Sequence, residues 1–137
     1  MTKNNKFDLV LPVNGIVTKE YLDNNSNVIF VFGDNTIGIG YGGAAVLRDH
    51  VQSYGLITKV YPDNADSSYY TVKEYKPIFE REMTLLKQFI QQNKNKLFLI
   101  SKLGAGLANK YKIYENIIYP ELVKLENEYD NVIFLKD

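Results

Sequence analysis

A continuous apolar run, Val28 to Phe32, opens directly into eleven residues that carry five glycines, Gly33 to Gly43. The run is rich in branched and aromatic residues and shows no polar alternation. That is the pattern of a strand buried on both faces. A strand covered on both sides needs a layer above it and a layer below it. The glycines that follow let the chain turn sharply and bring backbone N–H groups close to a partner.

The rest of the chain repeats the theme. Phe7 to Leu11, Gly55 to Tyr61, Leu97 to Ile100 and Val132 to Leu135 are further short apolar runs, giving five expected strands. Between them lie helical patterns. Thr18 is placed to cap a short helix through Asn24, and Ala44 to Val51 reads as a second helix. Tyr75, Ile78, Phe79, Leu85, Leu86, Phe89 and Ile90 recur mostly at helical spacings, and Ile113, Ile117, Ile118, Leu122 and Leu125 mark a last helix. Alternating strands and helices predict a layered α/β fold with a largely parallel sheet. A chain of 137 residues suits one domain over 1–137.

In such sheets ligands bind beyond the carboxyl ends of the strands. Two glycine loops leave strand ends here. The first holds Gly33, Asp34, Asn35, Gly40, Tyr41, Gly42, Gly43 and Ala44. An N-terminus of a following helix would add unpaired N–H groups and a positive dipole end, an anion site. Asp34 and Asn35 offer hydrogen bonds to ribose hydroxyls or an amide, and Tyr41 offers a ring to lie over a base or ribose. The second loop holds Gly104, Ala105, Gly106, Leu107 and Ala108, with Lys102 and Lys110 beside them. Thr58 and Lys59 end the strand between. These three segments predict two walls of one cleft, with phosphates on backbone N–H groups. The plain alternative is a pair of tight connections whose glycines serve packing. The loop spacing matches neither the P-loop nor the dinucleotide fingerprint.

Charge and composition exclude several other classes. Sixteen basic residues balance sixteen acidic ones, so no basic face for duplex DNA is expected. Only Arg48 and Arg81 can offer a planar fork to phosphate; Arg81 reads as a surface charge. No cysteine is present, which removes thiolate chemistry and fits a reducing, cytoplasmic setting. Met1 to Lys6 is polar and does not resemble a signal peptide, and no apolar run is long enough to span a bilayer. His50 stands alone, without a partner at ligand spacing, and Asp63-Asn64-Ala65-Asp66 reads as a polar loop; no metal and no cofactor are expected. Tyr69 and Tyr70 either flank the cleft or pack under the long helix.

Taken together, Asn35 with Gly40-Tyr41-Gly42-Gly43-Ala44, then Leu56-Ile57-Thr58-Lys59, then Leu103-Gly104-Ala105-Gly106-Leu107 resemble the macrodomain superfamily, nearest its terminal ADP-ribose protein glycohydrolase branch. Val31 to Asn35 with Gly42-Gly43-Ala44 also resembles a family of short bacterial and phage proteins. The resemblance implies a three-layer α/β/α sandwich with a mixed, largely parallel sheet. It implies ADP-ribose or a related NAD-derived nucleotide as ligand, free or carried on a macromolecule. In that branch a lysine attacks the anomeric carbon and an aspartate follows the second loop. Lys59 matches the lysine, while Ala108 stands at the aspartate's place, leaving Asp34 as the nearby acid. Three readings follow: a reader or sequestering module, an ADP-ribosyl hydrolase using Lys59 with Asp34, and a binder of a defence or signalling nucleotide.

Overall fold

The computed structural model describes residues 6–136; most of the polar stretch Met1 to Lys6 lies outside them. The elements run α1 (Lys19–Asn24), β1 (Val28–Asn35), β2 (Ser53–Lys59), α2 (Val72–Gln92), β3 (Leu97–Ile100), α3 (Tyr119–Glu128) and β4 (Val132–Phe134), joined by short 3-10 and π turns. The fold is α/β. Four strands form one sheet in the order β2-β1-β3-β4, and every ladder is parallel. The expected antiparallel admixture reduces to one isolated bridge between Lys59 and Tyr69.

Alternation along β1 sorts the core into two layers. Val31, with Leu56, Phe98, Ile100, Val132 and Phe134, faces α2 and α3 through Phe79, Leu86, Ile90, Leu122 and Leu125. Phe30 and Phe32, with Leu97, Leu99 and Ile133, face the other way, toward Leu22 of α1 and toward Ala45 and Leu47. Each fully buried side chain of this size contributes about 1.5–3 kcal/mol by leaving water. The long helix α2 begins in a capping box, with Thr71 and Glu74 satisfying each other's backbone N–H groups. Thr18 caps α1 by accepting from Tyr21 N.

Both edge strands are closed by acids from the helices. Glu82 of α2 accepts from Ile57 N at 2.7 Å, while Tyr75 Oη donates to Ile57 O at 2.6 Å. Glu126 of α3 accepts from Phe134 N at 2.8 Å. An edge whose backbone groups are occupied in this way resists pairing with a further strand. Burial pushes the Tyr75 phenol well above its ordinary pKa, so it stays a donor. Among the described residues no helix is long and apolar enough to cross a membrane.

Two expected elements are absent. Phe7 to Leu11 is not a strand: Asp8 takes a left-handed φ of 52°, and Phe7, Leu9 and Leu11 lie against the second core layer instead. Ala44 to Val51 is not an α-helix: only a 3-10 turn, Gly43–Leu47, forms. Its cap, Gly42, has no side chain to nucleate a helix. Downstream, Ser53 Oγ and His50 N both donate to the Leu47 carbonyl, and His50 Nδ1 accepts from Gln52 N. Those bonds occupy groups that a continuing helix would need.

Candidate functional site

The carboxyl ends of β1, β2 and β3 open into a cleft of about 450 Å³. Its floor is Gly33 and Thr58. A Cβ on Gly33 would stand 3.1 Å from Thr58 Oγ1, so glycine at that point lets the two strands pack. One wall is the first loop, contributing Asp34, Asn35, Gly40, Gly42, Gly43 and Ala44. The other is the second loop, contributing Gly104, Gly106, Leu107 and Ala108; Lys59 closes the β2 side. The two loops and the Thr58-Lys59 strand end therefore do meet.

Two of the expected ligand residues lie elsewhere. Tyr41 is exposed and donates its hydroxyl to Asp49 Oδ2 at 2.8 Å, which pushes its phenol pKa upward. Ala105 packs against the core beneath α2 and α3. The cleft is also lined by Lys102, expected beside the second loop, and by Ile39, Ala45, Arg48, Pro62, Ser101 and Leu103. Ile39, Ala45 and Leu103 adjoin an expected residue in sequence. Arg48 does not, and its rarity among the basic residues was the available signal.

Asp34 and Asn35 shape the first loop. Asn35 Oδ1 accepts from Ile37 N and Gly38 N at 3.2 and 3.0 Å, and its amide donates to Ile39 O at 2.8 Å. The Asp34 carboxylate accepts from Asn35 N at 2.7 Å and pairs with Arg48 Nη1 at 2.7 Å, both side chains being largely buried. Its other oxygen lies over Gly55, where an added Cβ would stand 2.5 Å away. Among the described residues Asp34 is the one acid lining the cleft, and Arg48 neutralises it. The anion site expected from a helix N-terminus is withdrawn, because a single 3-10 turn carries no helix dipole of consequence.

Lys59 Nζ donates to Asp63 O at 2.8 Å and lies 4.5 Å from the centre of the Tyr69 ring. Lys110 turns away to pair with Asp66, which raises its pKa. Tyr69 thus borders the cleft through Lys59, while Tyr70 packs in the core against Tyr75. Asn109, beside Ala108, is occupied: it accepts from Tyr114 N and donates to Glu115. His50 joins Asp23 at 2.8 Å, away from the cleft, as a structural tie. Asp63 accepts from Ala65 N and Ser68 Oγ, so the Asp63–Asp66 segment closes on itself.

The glycines divide by what surrounds them. At Gly104, with φ of +81°, an added Cβ would stand 2.3 Å from Ile118 Cδ1. At Gly42 and Gly106 nothing lies within 4 Å of that position. Gly42 has an ordinary extended backbone, φ −75° and ψ 144°, open to any residue. Neither packing nor backbone conformation calls for glycine there, yet it lines the cleft. With Asp34 paired, the charge left in the lining is that of Lys59 and Lys102, so the cleft favours an anion.

A family described as "Family of unknown function (DUF7831)" matches residues 12–120. No curated protein and no solved structure matches the chain.

Proposed function

We propose that this chain, which belongs to the DUF7831 family of unknown function, binds ADP-ribose or a related NAD-derived nucleotide in the cleft between its glycine loops, as a reader or sequestering module. The observation that carries the reading is the open glycine at Gly42, which lines the cleft as Gly106 does on the other wall, with nothing within 4 Å of where a Cβ would stand. Bare backbone at that point suits a diphosphate, which N–H groups contact at close range. The positive remainder from Lys59 and Lys102 supports the same ligand class. Within that class, ADP-ribose is favoured by the resemblance of the motif order to that of macrodomains.

The same geometry speaks for binding over turnover. A nucleophilic lysine must shed its proton and reach the reacting carbon. Lys59 is instead engaged with Asp63 O and Tyr69. The leaving group needs an acid; position 108 is alanine and Asp34 is held by Arg48.

Calorimetric titration with ADP-ribose, followed by chromatography of the recovered ligand, tests both parts. One-to-one binding with the ligand returned intact is the expected result, and a carboxylate-linked ADP-ribosyl substrate stays uncleaved. Turnover that disappears in Lys59→Ala would make the protein a hydrolase. Silence toward ADP-ribose with binding of another nucleotide would move the reading to a signalling nucleotide.

A further inference from the structure

We propose that Arg48 is the positioning residue of the cleft: it fixes the first loop in its ligand-ready shape and does not itself serve as a phosphate ligand. The inference deepens the nucleotide-binding reading and rests on it for the affinity effects.

Arg48 lines the cleft, and an arginine there invites assignment as an anion fork. Three of its five N–H groups, one on each nitrogen, are committed elsewhere. Nη1 pairs with Asp34 Oδ1 at 2.7 Å, Nε donates to Gly40 O at 2.9 Å, and Nη2 donates to Ile39 O at 3.1 Å. The guanidinium carbon lies over the Phe32 ring, 5.4 Å from its centre, within cation–π range. Its charge is cancelled by a carboxylate as buried as itself.

The loop needs such a tie. Gly38 and Gly40 both take left-handed φ, +66° and +100°, and a free chain of this composition populates many other shapes. Asn35 organises the turn up to Ile39. At Ile39 and Gly40, Arg48 spans both carbonyls, sharing that of Ile39 with Asn35 and holding that of Gly40. Arg48 reaches them from the end of the 3-10 turn, where its own N–H donates to Ala45 O. A loop already ordered before the ligand arrives loses less entropy on binding.

This assignment makes opposite-sign predictions from the anion-fork alternative. Asp34→Asn removes the negative partner. If Arg48 were a phosphate ligand, the freed guanidinium would bind ADP-ribose more tightly. As a clamp residue it loses its anchor, and affinity falls at least fivefold. Arg48→Lys keeps the charge but cannot reach an acid and two carbonyls at once. Affinity should fall at least tenfold, close to that of Arg48→Met.

Hydrogen exchange in the free protein separates failure of this inference from failure of the ligand assignment. In Arg48→Met and Arg48→Lys, amides of residues 37–43 should exchange at least tenfold faster, with β1 and β3 core amides unchanged. Those shifts support the clamp even if ADP-ribose is the wrong nucleotide. Parental exchange in Arg48→Met, parental affinity in Arg48→Lys, or tighter ADP-ribose binding by Asp34→Asn would each overturn it.

Discussion

The two walls of the cleft are both glycine loops, yet they are held by different forces. The second wall is an extension of the core. Leu103 and Ala108 are buried, and Gly104 sits under Ile118 so closely that no side chain fits. The first wall is held by polar ties: Asn35 to its own loop, Asp34 to Arg48, and Arg48 to Gly40 and Ile39. Its buried apolar anchors are Ala45 and Leu47, at the far end. A wall set by packing is costly to move and belongs to the fold. A wall set by hydrogen bonds can be altered without unfolding, and it carries Gly42, which combines open space with an ordinary extended backbone.

The contrast predicts a graded response to filling the glycines. Gly104→Val combines overpacking against Ile118 with a branched residue at φ of +81°. It should cost about 3–5 kcal/mol of stability, read as a lower urea midpoint. Ile118→Ala in the same chain should return only part of that loss, since it relieves the clash and not the backbone strain. If Gly104→Val is as stable as the parent, the second wall is not core.

Gly55→Ala, in β2 against Asp34 of the first wall, should do less harm. The new methyl meets the Asp34 carboxylate, 2.5 Å from Oδ2, and that short polar group can swing away by breaking its pair with Arg48. A cost of about 1–2 kcal/mol is expected. In an Asp34→Ala background, where only the Cβ contact at 3.0 Å remains, the same substitution should cost less, so a double-mutant cycle shows coupling. Equal costs in both backgrounds would detach Gly55 from the loop.

The parts of this arrangement legible in the sequence were those fixed by neighbours in the chain. The buried run at Val28, the cap at Thr18, the strand Leu97–Ile100 and the periodicity of α2 depend on local pattern and stand where expected. So does the meeting of both glycine loops at one rim, which follows from parallel strands. What stayed hidden depended on distant partners or single dihedrals. Nothing near Phe7 announces the left-handed Asp8 that ends its extension. The helix expected from Ala44 is stopped by Ser53 and His50 reaching back to bonds it would have used. The scaffold role that Asp34 and Asn35 also play in the first loop was hidden, because their partners Arg48 and Ile39 come into range only when the loop folds. Tyr41 left the cleft for Asp49 by the same cause.

Gly42→Val sits at the mild end of the series for stability and decides the central claim. With ordinary backbone and empty space around the added side chain, the unfolding free energy should change by no more than about 0.5 kcal/mol. The cleft, however, loses its bare backbone. Calorimetric titration of ADP-ribose into parent and Gly42→Val should give one-to-one binding in the first and at least a tenfold weaker Kd in the second, at matched urea midpoints. Equal affinity in the two proteins would contradict the account and place the nucleotide outside the glycine cleft.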